Sequence, residues 1–391
     1  MTLTPLLASI VFNFFAHVVF AGMRLAVALD AIHLGASAAM VGTITALFGL
    51  LPAVGSVAMG RYIDRHGSRL VQTVCPVLLG LCPLLLAFVP ALWSLALASL
   101  LIGGAFLSLH IVNQQVVGKL SEPADRPANF AISSTWIAAS STLSPMLTGF
   151  GIDHIGFDWT FGILGVVPFL AMAYMLRRVP VLTPGHTAAR AERQGSVLDL
   201  LRDRRLRRIY AVNIVFQTGW DVVLFMTPIY GAQLKLSASQ IGTIIACFSG
   251  ATFVVRLFTR IVSRQFTPWQ ALLLALCVSG SASLVFGLAS AVVMLMVFAF
   301  IMGLGHGVAS PMSSTLMYEA APASRMAEVL GLRTSVSMAL QVAMPMGAGA
   351  LGAVIGIAPL YWTVAAMQLG TAWSAREYWR IRKGTRAPKA E

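Results

Sequence analysis

Long apolar segments separated by short polar turns are the dominant pattern along this chain. Twelve of them reach about the 20 residues that a helix needs to cross a hydrocarbon core. With approximate bounds they are 4–29, 39–59, 70–89, 92–117, 129–151, 159–176, 209–231, 239–262, 268–288, 291–317, 327–350 and 354–374. Inside a bilayer each backbone polar group needs a partner within its own segment, so the runs predict an all-α membrane protein with twelve transmembrane helices.

The distribution of charge sets the orientation. The chain is 58% hydrophobic and only 10% charged, which leaves too little polar surface for a soluble globule. Its net charge of +13 lies in bursts that follow the even-numbered runs, with only Arg24 and Lys235 elsewhere. By the positive-inside rule, both termini are cytoplasmic, and the protein is predicted in the cell membrane, the inner one in a bacterium. This distribution predicts no nucleic-acid partner.

The second half of the chain repeats the first. SIVFNFFAHVVF at 9–20 resembles NIVFQTGWDVVL at 213–224, an offset of 204, whereas LGASAAMVGTITALF at 34–48 matches LKLSASQIGTIIACF at 234–248, an offset of 200. Parallel repeats of this kind place a substrate site between the halves near the midplane, here lined by runs 1, 4, 7 and 10. We predict six-helix halves at 1–178 and 209–375, a basic linker at 179–208 and a cytoplasmic tail at 376–391.

The linker carries the basic cluster LRDRRLRR, residues 201–208. Such a cluster between two membrane domains favours an amphipathic helix lying on the anionic leaflet, which is our interpretation of part of the linker.

The turn GRYIDRHGSR between runs 2 and 3 carries a family resemblance. Its residues Gly60, Asp64, Arg65, Gly67 and Arg69 resemble the signature loop between helices 2 and 3 of the major facilitator superfamily. The resemblance covers essentially the whole chain, including the twelve runs, the central basic loop and the repeat. It implies two six-helix halves that rock about a central site and so give alternating access.

The resemblance also implies a gate. The acid of this motif, here Asp64, would hold one access state closed on the cytoplasmic side by facing the start of run 11 near Met326 and Ala327. The positive end of a helix dipole favours a carboxylate there. A plain solvated turn is the alternative.

Two further features of the resemblance concern the arginines of the turn and the direction of transport. Glu122 and Asp125 are the nearest acids that could pair with Arg65 or Arg69. SPMLTGFGID at 144–153 resembles part of a signature of proton-coupled exporters, but run 4 lacks the arginine that many exporters carry. Export is therefore favoured on weaker grounds.

Polar residues in the middle of runs 1 and 7 predict a lined cavity. An ionisable side chain in mid-bilayer costs at least about 2.5–3.5 kcal/mol, so each needs a reason. The offset of 204 pairs His17 with Asp221 and Asn13 with Gln217, and the two polar positions of each helix lie one turn apart on one face. We expect Asp221 to bind a proton or a substrate cation; the alternative is an interhelical hydrogen bond, to Tyr230 or Trp220.

Several other polar residues in the runs are candidates for binding substrate or transferring a proton. His17 is a proton relay or substrate contact, or else a helix-to-helix hydrogen bond. His306 has small neighbours that let substrate or another helix approach. His110 with Asn113 is placed at the cytoplasmic mouth. Arg24 either snorkels to the surface or faces the cavity and attracts an anion.

The remaining charged residues do not indicate a metal site or an enzyme active site. Arg256 and Arg333 lie near cytoplasmic helix ends and are interpreted as anchors. The His, Asp and Cys residues show no metal-ligand spacing on one helix, and the chain has no HExxH, nucleophile elbow or P-loop. We therefore predict no cofactor, no metal and no enzyme activity.

The sequence as a whole predicts a monomeric secondary transporter embedded in the lipid bilayer. The favoured function is proton-coupled export of a small organic molecule, such as a drug, siderophore or metabolite. One alternative is proton-coupled uptake of an organic anion. A non-transporting membrane receptor is an alternative of another class.

Overall fold

The regular secondary structure is helical throughout the described residues. The computed structural model describes residues 4–122, 125–175, 178–183, 202–321 and 325–380. The elements are α1 Pro5–His33, α2 Ala38–His66, α3 Arg69–Phe88, α4 Leu92–Leu120, α5 Arg126–Met175, α6 Arg204–Gln233, α7 Ala238–Leu257, α8 Thr259–Gln265, α9 Pro268–Phe286, α10 Val292–Ala320, α11 Met326–Ile355, α12 Ala358–Ser374 and a 3₁₀ turn at Arg376–Arg380.

The helices confirm a multi-pass membrane protein. Ten of the described helices are long and apolar enough to cross a bilayer. The 50 residues of α5 form two crossings, because Gly156 leaves the helical conformation with φ of 80°. Gly356, at the same place in the second half, has φ of 86° and separates α11 from α12. With α12, whose 17 residues are at the lower limit for a span, the predicted twelve-helix, two-repeat architecture is confirmed.

The two halves repeat in their backbone at an offset of 200. Ser37 and Ser237 cap α2 and α7 in the same way, each hydroxyl accepting the amide N–H three residues further on. The turn before each cap holds a residue with positive φ, Gly35 at 80° and Lys235 at 57°.

This register corrects one sequence pairing. Neither α1 nor α6 is interrupted, and both end four residues before these caps, so their offset is also 200. His17 is therefore equivalent to Gln217, not to Asp221, and the pairing at 204 was wrong by about one helical turn. Because four residues are close to one helical turn, the offsets of 200 and 204 place polar residues on the same helix face, and the sequence pattern could not distinguish them.

The basic cluster at the end of the linker belongs to α6. Asp203 caps this helix by accepting the amides of Arg205 and Leu206, so α6 begins five residues before the predicted run. Arg205 forms an ion pair with Glu319 at 3.3 Å. For residues 204–208, the predicted surface helix is thus an extension of a membrane-spanning one. The rest of that linker prediction, residues 184–201, and the tail at 381–391 lie outside the described residues.

Contacts between the halves are closest on one side of the membrane. We name the two faces by the α2–α3 turn, Gly60 to Arg69: this turn lies on the motif side, and the α1–α2 turn lies on the opposite side. Near the opposite side, a Cβ atom at Gly42 would collide with the carbonyl of Pro345, and one at Gly242 with the carbonyl of Pro145. Glycine is required at both positions because α2 packs backbone to backbone on α11, and α7 on α5.

The same pair of helices separates toward the motif side. Gly49, two turns beyond Gly42, is still close to α11, because a Cβ atom built there would lie 3.2 Å from the side chain of Val342. Gly60 lies about five turns from Gly42 on the same face of α2, and Gly331 has the same relation to Gly349 in α11. Among the described residues, no atom outside the helix's own local backbone lies within 4 Å of a Cβ atom at either Gly60 or Gly331. The halves therefore form a V that is closed on the opposite side and open toward the motif side.

An acidic cap joins the halves on the closed side. The carboxylate of Asp153, at the end of the first span of α5, accepts the amide of Ala238 at 2.9 Å and that of Ser239 at 2.8 Å. These are the first amides of α7, where the helix dipole favours a negative charge. The hydroxyls of Ser239 and Ser237 also bond to this carboxylate, so the cap links the first half to the second through both backbone and side-chain groups.

We predict that Asp153→Ala opens the closed side more often. Losing such a cap costs about 1–2 kcal/mol, which corresponds to roughly tenfold in an equilibrium. Ser249, which faces the space between the halves, would be replaced by cysteine in a chain lacking the four native cysteines. Labelling by an impermeant maleimide applied to the opposite side should then become several-fold faster. Asp158→Ala, at an exposed acid of the same region, is the control; equal rates in both variants would contradict the cap's role.

Candidate functional site

A cavity of about 320 Å³ lies between the two halves. α1, α2, α4 and α5 line it from the first half, and α6, α7 and α11 from the second. Its lining residues are His17, Phe20, Ala21, Arg24, Leu25, Phe48, Pro52, Phe106, Leu107, His110, Ile137, Ser141, Pro145, Trp220, Leu224, Ile245, Ser249, Met338 and Gln341. The volume is at the lower end of the roughly 300–1,000 Å³ typical of small-molecule sites. We call it the central cavity.

The first half contributes a wall of stacked rings to the central cavity. Phe20 and Phe106 stack with centroids 4.5 Å apart, and His110 stacks on the other end of Phe106 at 5.7 Å. His17 meets Phe106 edge-on at 5.1 Å. The guanidinium carbon of Arg24 lies 5.8 Å from the centroid of Phe20, close enough for a cation–π contact. A flat apolar body fits this wall, with a negative group at the arginine end.

Arg24 faces the central cavity, which decides between the two readings left open by the sequence. Its half-buried side chain has no hydrogen-bond acceptor and no carboxylate within 4 Å among the described residues. Asp221, across the interface, is near enough to interact with its charge but forms no ion pair. The N–H groups of a guanidinium can only donate, so Arg24 offers a site for an anion.

His17 forms a helix-to-helix hydrogen bond and also lines the central cavity, while its role as a proton relay or substrate contact stays a prediction. Its Nδ1 lies 2.6 Å from the hydroxyl oxygen of Ser140, which itself donates to the carbonyl of Ile137 at 2.8 Å. Because that hydroxyl's proton is used, the Nδ1–H of His17 donates to Ser140, and a neutral ring keeps Nε2 as an acceptor. The helix-to-helix bond thus fixes a ring that also lines the cavity.

The other polar groups of α1 and α4 divide between wall and scaffold. His110 lines the central cavity and receives a hydrogen bond from the amide of Asn13 at 3.4 Å. Asn113 does not line it: this side chain accepts from Ser9 at 3.1 Å and donates to Ser133 at 2.9 Å. Asn113 therefore ties α1 and α5 to α4, a scaffold role that its position in the run did not indicate.

Asp221 is buried behind the wall of the cavity. Its side chain is 1% exposed, Oδ2 accepts the amide of Gln217 at 2.9 Å, and Oδ1 has no partner. Neither of the partners considered from the sequence, Tyr230 and Trp220, is bonded to it. A buried carboxylate with one hydrogen bond is costly while charged, so binding a proton or a cation would stabilise it.

A second cavity of about 230 Å³ lies in the second half, nearer the motif side, and we call it the vestibule. It is lined by Asn213, Phe216, Gln217, Trp220, Arg256, His306, Ala309, Ser310, Arg333, Ser337 and Gln341. Trp220 and Gln341 line both cavities, so the vestibule adjoins the central cavity.

Two arginines interpreted as anchors line the vestibule, and the anchor role itself stays a prediction. Arg256 and Arg333 both border this cavity. The physical reason is the separation of the halves on the motif side, which turns residues near the helix ends toward a cavity. Hydropathy could not reveal this, because it does not report which face of a helix is open.

His306 is held by its own neighbours. Its Nδ1 lies 3.2 Å from the hydroxyl of Ser279 and 2.9 Å from the carbonyl of Met302, whereas Nε2 is buried without a partner. Nε2 lies only 2.8 Å from where a Cβ atom of Gly219 would stand. The small residue that leaves room for the ring of His306 is therefore Gly219, which lies in another helix, α6.

The motif turn is in its open arrangement. Gly67 ends α2 with φ of 80°, a conformation that glycine adopts without strain. Asp64 is exposed and accepts from Gln115 of its own half at 3.1 Å. The described contacts of Asp64 stay within its own half, and its predicted role as a gate that faces the start of α11 stays a prediction.

The arginines of the motif are also exposed. Arg65 and Arg69 form no ion pair with Glu122 or Asp125 in the described part of the chain. The predicted pairing is therefore not present in this state.

This chain resembles known proteins in both sequence and fold. A sequence profile described as Major Facilitator Superfamily matches residues 6–345 and 209–390. A search of curated sequences finds no significant match. The solved structures similar to this chain include the peptide transporter POT in complex with sulfate, with a TM-score of 0.77, 16% identity and coverage of 96% of this chain and 94% of that one.

Two other transporters have the same fold. A variant of the nucleoside transporter NupG gives a TM-score of 0.76 at 10% identity, covering 96% of this chain and 100% of that one. A bacterial homolog of the human lysosomal transporter Spinster, inward-facing and unoccupied, gives 0.70 at 14%, covering 96% and 95%. At such identities the likeness shows the fold alone, whereas the profile covers most of the sequence. The chain belongs to the major facilitator superfamily.

Proposed function

We propose that this protein is a proton-coupled transporter of a small organic anion with a flat apolar body. The observation that carries the proposal is Arg24, a cation facing the space between the halves with no acidic partner. No acidic side chain lines the central cavity or the vestibule within the described residues. A cationic substrate would meet only like charge there, and an anion would be attracted.

The stacked rings support the apolar part of the substrate. Phe20, Phe48 and Phe106 line one side of the cavity, and Trp220 lines it from the second half. Aromatic faces stabilise flat, apolar groups by contact area and by preferred ring geometry. An aromatic carboxylate or a similar metabolite therefore fits the lining better than a sugar or a polyamine.

Asp221 is the proposed proton site. It is an acid of the second half whose charge acts on Arg24, and its Oδ1 has no hydrogen-bond partner among the described residues. Protonation removes the cost of a buried charge, and a change in its charge alters the field at Arg24.

For direction we propose export, on the likeness of residues 144–153 to part of the exporter signature. Uptake of the same anion by proton symport is the second candidate. The cationic lining favours it equally, because an anion and a proton that move together neutralise each other's charge.

Untargeted mass spectrometry of cells and medium from the native host tests function and direction together. We expect an aromatic or otherwise apolar organic anion to build up inside a deletion strain and to drop in its medium, with recovery on restoring the wild-type chain. The reverse distribution of an anion would establish uptake. A compound without an anionic group would contradict the substrate class.

The proton role predicts a separation of two kinds of flux. In Asp221→Asn, gradient-driven net transport should fall to background, because an amide cannot take up and release a proton, whereas exchange between two substrate pools should continue. Reconstituted vesicles with an imposed pH gradient provide the measurement. Asp158→Asn, at an exposed acid outside both cavities, should retain both fluxes. Net flux that survives in Asp221→Asn would exclude this carboxyl as the coupling site.

Arg24 predicts a loss of substrate affinity. Removing its charge-assisted hydrogen bonds in Arg24→Gln should weaken binding of the identified anion about tenfold or more. Arg24→Lys, which keeps a point charge but not the planar fork, should fall in between. Arg376→Gln is the matched control, because Arg376 is exposed and stacks on Trp373 away from the cavities. Equal affinity in Arg24→Gln and the control would contradict the anion role.

A further inference from the structure

We infer that Arg256 and Arg333 form a second, separate anion site in the vestibule, which holds a compact oxyanion group such as a carboxylate, phosphonate or phosphate. Under the proposed function, this site receives the anionic group of the substrate on its way between the motif side and Arg24. Only that relay rests on the proposed function, because the binding site itself follows from the vestibule's own geometry.

The two arginines carry positive charge that nothing nearby neutralises. Arg256 is exposed and has no hydrogen-bond or ion-pair partner among the described residues. Arg333 donates to the hydroxyl oxygen of Ser314 at 2.6 Å and to that of Ser310 at 3.2 Å. These partners are neutral, so they orient the guanidinium without offsetting its charge. The remaining N–H groups of both arginines can bind oxyanion oxygens in pairs.

The acidic residues of the neighbouring helices are engaged elsewhere. Glu328 of α11 is paired with Arg325 at 2.7 Å, and Glu319 of α10 is paired with Arg205 at 3.3 Å. In α6, Asp221 is buried and receives its hydrogen bond from Gln217. No described acid therefore competes with a ligand for the two vestibule arginines.

The other lining groups suit a hydrated, compact anion. Asn213, Gln217, Ser337 and Gln341 supply amide and hydroxyl donors around the two arginines. His306 also borders the vestibule, but the N–H available at its ring is directed to its own scaffold by Ser279 and the carbonyl of Met302. The vestibule also holds the rings of Phe216 and Trp220, but Phe216 meets His306 edge-on at 5.4 Å and presents no stacked wall like that of the central cavity.

The two cavities adjoin, but Arg24 and Arg333 are too far apart to hold the same compact anionic group. Arg333 lies about two turns from the motif-side start of α11, whereas Arg24 lies more than five turns from the motif-side start of α1. At about 1.5 Å per residue, this separates the two positions by on the order of 15–20 Å along the membrane normal. The two linings share only Trp220 and Gln341. We therefore assign two sites in series.

Ligand-dependent melting of the purified full chain tests this assignment. Inorganic phosphate is the probe for the vestibule, and benzoate is the probe for the central cavity. The concentration dependence of the melting temperature gives an apparent affinity for each. Arg256→Gln should weaken the apparent affinity for phosphate about tenfold and change that for benzoate less than twofold. Arg24→Gln should show the reverse pattern, and Arg376→Gln should change neither.

Arg333→Lys is the second vestibule variant. It keeps a charge that can reach the two serines, so it is expected to fold and to lose a few-fold in phosphate affinity with the fork geometry. An unchanged phosphate affinity in both Arg256→Gln and Arg333→Lys would overturn the second site. So would an equal loss of phosphate and benzoate in Arg256→Gln, because that outcome would mean a single site.

The same titrations separate this inference from the proposed function. If Arg24→Gln leaves benzoate binding unchanged while Arg256→Gln weakens phosphate binding, the substrate role of Arg24 fails and the second anion site stands. If benzoate affinity depends on Arg24 and phosphate affinity depends on neither vestibule arginine, the proposed function stands and the second site fails.

Discussion

The close approach of backbone to backbone on the opposite side is the constraint on which the rest of the structure depends. Gly42 against Pro345 and Gly242 against Pro145 bring α2 onto α11 and α7 onto α5 at distances that no larger residue permits. Helices that touch there and diverge elsewhere must leave a wedge between them. The central cavity lies in that wedge, and the vestibule of the second half adjoins it.

That wedge determines which polar groups can act on a substrate. Arginine costs several kcal/mol in a bilayer interior unless it has water, an anion or a dipole beside it. Arg24, Arg256 and Arg333 all border the wedge, so water can reach them while the motif side is open. When the halves close on that side, water is excluded and a bound anion becomes the available partner. Under the proposed function, the charge of the lining would thus link closure of an occupied transporter to the chemistry of its ligand.

Hydropathy was sufficient to predict the twelve spans, and the motif turn with the repeat was sufficient to predict the two-half fold, because each depends on local pattern. The pairing of His17 with Asp221 failed because four residues are nearly one helical turn, so two registers present the same face. Arg256 and Arg333 were interpreted as anchors because their sequence positions indicate how deep they lie in the membrane but not which face of each helix borders a cavity. Asp30, near the end of α1, is only 2% exposed, and no local sequence pattern predicts the burial of this acid. The cap by Asp153 joins segments 85 residues apart, which no local pattern predicts.

The positions of Arg24 and Asp221 give a physical basis for coupling. Arg24 belongs to the first half and Asp221 to the second, and they interact without forming an ion pair. The energy between unit charges varies inversely with distance and is about 4 kcal/mol at 4 Å for an effective dielectric constant of 20. Any rocking of the halves changes that distance, so the free energy of the charged carboxyl changes with the conformation. Under the proposed function, a proton on Asp221 removes this interaction and an anion on Arg24 weakens it, so each would alter the other's binding through the same pair of charges.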